Sequence, residues 1–187
     1  MTLRILHAPI NIAGAPGQLS AGLRECGVVS DLLVWREHPF GYGADVVLDL
    51  PWGGGRVQTA LRIARQGAAL ARHAHRYDVV HLHGKDSFLP RHIDLPLLRR
   101  LGKHVAVTFW GSDIRDRPAA ELVWLRHVEV AFVGSYLTYH RSPRGAFCDY
   151  TVVPTPFDVR GWTPTVKEPG SRLRLVHAPS NGVGTTV

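Results

Sequence analysis

Cysteine is almost absent: Cys26 and Cys148 are the only two among 187 residues. They form no C-x-x-C pair and no zinc-ligand spacing, which excludes a disulfide framework and a cysteine-based metal knuckle. Both thiols are expected to be buried as small hydrophobes in a reducing, cytoplasmic compartment. Lysine is nearly as scarce. Lys85, Lys103 and Lys167 are the only three of 22 cations, so arginine supplies almost the whole formal charge of +7. No apolar run approaches the roughly 20 residues of a membrane span. The N-terminal apolar stretch is broken by His7 and Pro9 and does not read as a signal peptide. What remains, 45% hydrophobic and 20% charged residues, is an ordinary globular composition, long enough to bury a core without staples.

The basic balance is compatible with a nucleic acid, an anionic lipid surface or a phosphorylated ligand, and equally with an arginine-favouring codon bias. No nucleic-acid recognition motif accompanies it, so no nucleic-acid partner is expected, while peripheral membrane contact stays open. Arg62, Arg65, Arg72 and Arg76 share one arc of a long helical pattern, and Ala60, Ile63, Ala64, Gly67, Ala71 and Ala74 occupy the other. This reads as an amphipathic helix with a solvated basic face packed on a sheet through its small residues.

The chain alternates strands and helices. Strands are expected at Leu3 to His7, Asp31 to Trp35, Asp45 to Leu50, Asp78 to His83, His104 to Phe109, Glu129 to Val133 and Tyr150 to Val153. Between them lie helices near Gln18 to Glu25, Arg56 to Arg76, Leu89 to Leu101 (with a restart at Asp94 or Pro96) and Pro118 to His127. Leu19, Leu23 and Cys26 give the first helix an apolar stripe. Such alternation implies right-handed crossovers and a doubly wound α/β domain: a mainly parallel Rossmann-like sheet of about seven strands with helices on both faces. Runs such as Val105-Ala106-Val107 suit strands covered on both sides.

Leu3-Arg4-Ile5-Leu6-His7-Ala8-Pro9 returns as Leu173-Arg174-Leu175-Val176-His177-Ala178-Pro179, with five of seven positions identical. Each heptad reads as the first strand of its own Rossmann-like domain. The expected organisation is a domain over 1–153, a Pro/Gly/Thr-rich linker over 154–171 and the opening stub of a second domain over 172–187.

Ligands of such sheets bind beyond the carboxyl ends of the strands. There the sequence places Asn11 to Gly17, His83-Gly84-Lys85-Asp86-Ser87, Trp110-Gly111-Ser112-Asp113-Ile114-Arg115 and Gly134-Ser135-Tyr136. Gly14 and Gly17 suit either a backbone cradle for a phosphate or a tight turn; they do not make the G-x-G-x-x-G of a dinucleotide site. His81 and His83, at i and i+2, share one strand face. No third ligand stands at a telling spacing, so no metal is expected; His81 reads as a core residue and His83 as facing the cleft. His83, Asp86 and Asp113 are the acid–base candidates. Asp86 equally reads as a helix cap, and Asp113 as a turn aspartate bonding its own backbone.

Taken in order, these segments, with Asp94-Leu95-Pro96-Leu97-Leu98-Arg99-Arg100-Leu101-Gly102-Lys103 and Val152-Val153-Pro154-Thr155-Pro156-Phe157-Asp158, resemble the N-terminal domain of GT-B-fold glycosyltransferases of the GT4 family. The resemblance implies transfer of a sugar from a nucleotide-sugar donor to a carbohydrate or lipid-linked acceptor. The nucleotide sugar is then a co-substrate, held mostly by a C-terminal domain that also carries a characteristic pair of glutamates. No cofactor is implied, and this chain alone is expected to be inactive. His83 and Asp113 take the catalytic positions, and Gly14, Gly17, Gly84, Asp86, Trp110, Gly111, Ser112 and Arg115 the acceptor side. The pattern departs at Trp110, where many relatives carry histidine; an indole stacks on a sugar but transfers no proton. A non-catalytic carbohydrate- or partner-binding module is the alternative.

Overall fold

A computed structural model of the chain describes residues 2–51, 53–143, 149–156 and 159–160. The expected linker beyond Arg160, the second heptad and Cys148 lie outside the described residues. The unit Met1–Phe157 holds a seven-stranded sheet in the order β3-β2-β1-β4-β5-β6-β7. Its strands are β1 (Arg4–Ala8), β2 (Val29–Val34), β3 (Val46–Val47), β4 (Val79–His83), β5 (His104–Phe109), β6 (Val130–Val133) and β7 (Tyr150–Val152). Every pairing is parallel. The expected doubly wound α/β architecture is therefore the observed one.

The helices are α1 (Ala15–Glu25), α2 (Arg56–Ala74), α3 (Asp94–Arg100) and α4 (Tyr136–His140), with 3-10 segments at Pro90–His92 and Ala119–His127. Strand order reverses between β1 and β4. The chain leaves β1 toward β2 on one side and enters β4 from β3 on the other. Right-handed crossovers then put α1 on one face of the sheet and α2, α3 and α4 on the opposite face.

Side-chain alternation makes the two faces chemically different. Leu6, Ala8, Val80, Leu82, Val105, Val107, Phe109, Ala131 and Val133 point to the well-covered face. There they pack with Ala69, Leu70 and Ala74 of α2, Leu95 and Leu98 of α3, and Leu122 and Leu125 into one continuous core. The α1 face carries Ile5, Val79, His81, Ala106, Thr108 and Phe132, which with Leu19 and Leu23 line an apolar groove of about 310 Å³. The expectation of full cover on both sides of β5 thus meets an open groove. One helix crosses this face among the described residues, and it spans the β1–β2 side.

Several local expectations shift for physical reasons. Helix α1 begins at Ala15, three residues early, because Pro16 sits in its first turn, where a missing N–H costs nothing. Its buried residues are Ala15, Pro16 and Ser20, with Ser20 Oγ 2.9 Å from Ser30 Oγ; Leu19 and Leu23 face the groove instead. Cys26, expected to be buried, is exposed, because it caps the C-terminus of α1 at the surface turn that leads through Gly27 into β2. Helix α2 buries Gln66, Ala69, Leu70, His73 and Ala74, while Ala60, Ala64 and Ala71 are exposed. The helix is rolled so that its bulkier stripe meets the sheet, since burying Leu70 removes more apolar area from water than burying alanine. The arginines of the basic arc are exposed except Arg62, which is half-buried.

Polar ties fix the periphery. Asp45 accepts from the Leu32 N–H at 2.7 Å and from Arg24 Nη1, holding the short β3 on β2. Tyr77 donates to Asp31 at 2.5 Å, and burial, reinforced by that bond, pushes its hydroxyl up to about 12.

Leu98 is fully buried and its neighbour Leu97 is 47% exposed. In urea unfolding, Leu98→Ala is expected to cost about 2–5 kcal/mol. Leu97→Ala should stay within about 0.5 kcal/mol. Similar costs at both positions would contradict this packing.

Candidate functional site

The site grows from the point where the strand order reverses, which in open parallel sheets opens a crevice at the carboxyl edge. Strand β1 carries His7 next to its last residue, and β4 carries His81 and ends in His83. Register sets His7 beside His81, and on the other side sets His81 and His83 beside Ala106 and Thr108 of β5. All three imidazoles point to the α1 face. His7 Nδ1 lies 2.9 Å from His83 Nε2, and His81 Nε2 lies 2.8 Å from Thr108 Oγ1. His7 and His83 are wholly buried and His81 is 7% exposed.

Desolvation therefore dominates their chemistry. Burial, with a smaller push from Arg24, lowers His7 to about 4. Burial, with the neighbouring His7, lowers His81 to about 3. His83 is lowered well below its ordinary value by burial and then by His81 and His7. The expectation of a cleft-facing His83 is thus replaced by a shielded one, covered by the Trp110 indole stacked at 5.8 Å.

Beyond the strand ends, the Trp110–Arg115 loop is ordered by its own carboxylate. Asp113 accepts from the Trp110 N–H at 3.1 Å and the Gly111 N–H at 2.7 Å, the turn role that the sequence left open beside an acid–base one. Two glycines make this approach feasible. Gly84 has φ 83°, and an added Cβ would meet Ile10 Cδ1 at 3.2 Å and Asp113 Oδ2 at 3.6 Å. Gly111 has φ 143°, and the Arg115 guanidinium lies against it. Among the described residues, Trp110 Nε1, Arg115 Nε, His7 Nε2 and His83 Nδ1 are all buried without a hydrogen-bond partner. Buried donors or acceptors left this way cost about 1–3 kcal/mol each.

The remaining sequence candidates lie around this group. Ser112 is exposed at the tip of the loop. Gly14 adopts φ 75° and precedes α1 directly, against the Tyr42 ring. Gly17 sits inside the first turn of α1, and its N–H donates to Asn11 Oδ1 at 3.2 Å. Asn11 also donates to the Gly43 carbonyl, so a side chain already occupies that amide. Asp86 is exposed and lines a separate cleft of about 310 Å³ with Trp35, Arg62, Gln66, Arg91 and His92. Ser87 hydrogen-bonds Asp94 Oδ1 at 2.7 Å, and Asp94 Oδ2 accepts from the Phe88 N–H. The buried carboxylate that organises this loop is therefore Asp94.

His7, Thr108, Asn11 and Asp94 were not singled out as site residues by the sequence. For His7 a signal existed, a histidine ending the first strand, yet its meaning needs the β1–β4 pairing. The site joins β1 to β4, and its His7–His83 contact links residues 76 positions apart along the chain.

No protein-family profile matches the chain, and no curated protein does. Its fold is similar to a solved protein from Listeria monocytogenes described as a UDP-N-acetylglucosamine 2-epimerase, with TM-score 0.52 and 12% identity over 75% of this chain and 41% of that one. A second UDP-N-acetylglucosamine 2-epimerase structure matches with TM-score 0.51 and 12% identity over 75% of this chain and 44% of that one. The chain thus spans under half the length of these proteins. At this identity the likeness is one of fold.

The histidine cluster fixes a pH dependence. Unfolded imidazoles take up protons near pH 6.5, whereas His7 and His81 stay neutral in the fold to about 4 and 3. Stability is therefore complete above pH 6.5 and falls as acid is added, by about 2 kcal/mol per imidazole at pH 5. Denaturant unfolding at pH 7.5 and 5 should differ by about 4 kcal/mol from this pair. A flat profile would show the rings to be hydrated.

Proposed function

We propose that this domain is the acceptor side of a GT-B-type enzyme that transfers a sugar from a nucleotide-sugar donor to a carbohydrate or lipid-linked acceptor. The observation that carries the reading is the loop after β5. Two of its buried donors, Trp110 Nε1 and Arg115 Nε, lack partners, beside an indole that also walls the groove. Aromatic surface together with unsatisfied donors suits a ligand rich in hydroxyl or phosphate oxygens. The fold likeness supports it, since UDP-N-acetylglucosamine 2-epimerases share the GT-B fold with glycosyltransferases.

Roles follow from the chemistry present. Trp110 offers a stacking face and one donor. Arg115 offers a cation to an anionic oxygen, and Asp113 holds the loop in shape. His83, shielded and neutral, serves as a proton acceptor only when Trp110 moves aside. The donor is held chiefly by residues outside this domain, so the chain alone is expected to release negligible nucleoside diphosphate from UDP-N-acetylglucosamine.

Saturation-transfer NMR with mono- and disaccharides, sugar phosphates and UDP-sugars tests the reading. At least one saccharide or sugar phosphate should bind, and Trp110→Ala should weaken it about tenfold, the equivalent of about 1.4 kcal/mol. Absence of saturable binding across the panel, or unchanged binding in Trp110→Ala, would overturn it.

The names of the two similar structures favour a second reading, epimerisation of a nucleotide sugar at C2. Product analysis separates them. A 2-epimer formed without an acceptor supports epimerisation, and acceptor-dependent sugar transfer supports the first reading.

A further inference from the structure

The three-histidine cluster is polar, desolvated and under-partnered. Its ring centroids lie 5.0, 5.2 and 4.5 Å apart. One ligand atom from each ring falls within 4.8 Å of the others. Of the ring nitrogens, His7 Nε2 and His83 Nδ1 find no partner, and His7 Nδ1 and His83 Nε2 have only each other. Three imidazoles set together in a mostly apolar wall carry a desolvation cost that one mutual hydrogen bond and one bond to Thr108 do not offset while two ring nitrogens stay unpaired.

We propose that His7, His81 and His83 form a binding site for one first-row transition-metal dication of the zinc class. The donor set decides the class. Imidazole-only ligation suits zinc, nickel, copper or cobalt and disfavours magnesium and calcium, which require oxygen ligands. Metal–nitrogen bonds of about 2.0–2.1 Å place tetrahedral ligands about 3.4 Å apart. The His7–His83 pair at 2.9 Å needs only to open slightly, with the ion replacing the proton the two nitrogens share.

Thr108 supplies the outer contact that such ligands ordinarily have: its hydroxyl engages His81 Nε2 and leaves the other nitrogen of that ring for the ion. Rings that are neutral before binding offer lone pairs without competition from protons. Entry runs through the apolar groove, whose wall includes His81, Thr108 and Trp110. The inference stands apart from the sugar-nucleotide reading, although an ion here would engage His83 and remove it as a free base.

The test uses the whole chain, stripped with chelator and titrated with Co²⁺. One Co²⁺ per chain should bind with micromolar or tighter affinity and a visible ligand-field band, displaced by Zn²⁺ and unaffected by excess Mg²⁺. His7→Asn should weaken binding more than about 100-fold, and Thr108→Val about tenfold, the usual effect of losing an outer-shell partner. Circular dichroism checks each variant, and if His7→Asn fails to fold, Thr108→Val decides. Absence of the band, or affinity unchanged in the folded variants, assigns any binding to others among the eleven histidines and overturns the proposal.

Discussion

The register between β1 and β4 is the constraint on which the site depends. These strands meet where the winding of the sheet reverses, and their pairing sets His7 against His81 with His83 one step further along. A one-residue slip would send every side chain of a strand to the other face. It would put the imidazoles into the core of Leu6, Val80 and Leu82 and those leucines into the groove. Hydrophobic burial on the α2–α3 face therefore enforces the histidine cluster on the α1 face, although the histidines contribute nothing apolar themselves.

Asymmetry of cover follows from the same topology. All crossovers from β3 onward run in one direction and load one face with helices, while the opposite face receives α1. The open groove over β4, β5 and β6 is thus a consequence of strand order, and the cluster lies at its upper end under Trp110. Loops beyond the strand ends are then shaped by carboxylates that serve their own backbone, Asp113 after β5 and Asp94 after β4. Among the described residues neither is spent on an ion pair, and the nearby Arg115 Nε and Trp110 Nε1 are donors without partners.

Much of this was legible in the sequence because it is local or periodic. Apolar runs such as Val105 to Phe109, the glycine stop at Gly102 and alternation of strand with helix suffice for a doubly wound sheet. The loops at its carboxyl edge follow from that. Illegible were features set by long-range geometry. The rotation of α2 depends on which stripe buries more area, so Gln66 and His73 went inside while Ala60, Ala64 and Ala71 stayed out. The burial of His83 depends on a tryptophan 27 positions later, and the partnership with His7 on a strand pairing across 76 residues. Short α4 was missed because five residues carry too little periodicity, and Ser135, whose hydroxyl accepts from the Thr138 N–H, is its only strong start signal.

The most direct test of the account is nitrogen-15 NMR of the histidine side chains as a function of pH. Ring nitrogens of His7, His81 and His83 should keep the shifts of neutral imidazole from pH 7.5 down to the onset of acid unfolding. Reversible protonation of any of the three near pH 6.5 in the folded protein would contradict the account, because it would place that ring in water and dissolve the cluster.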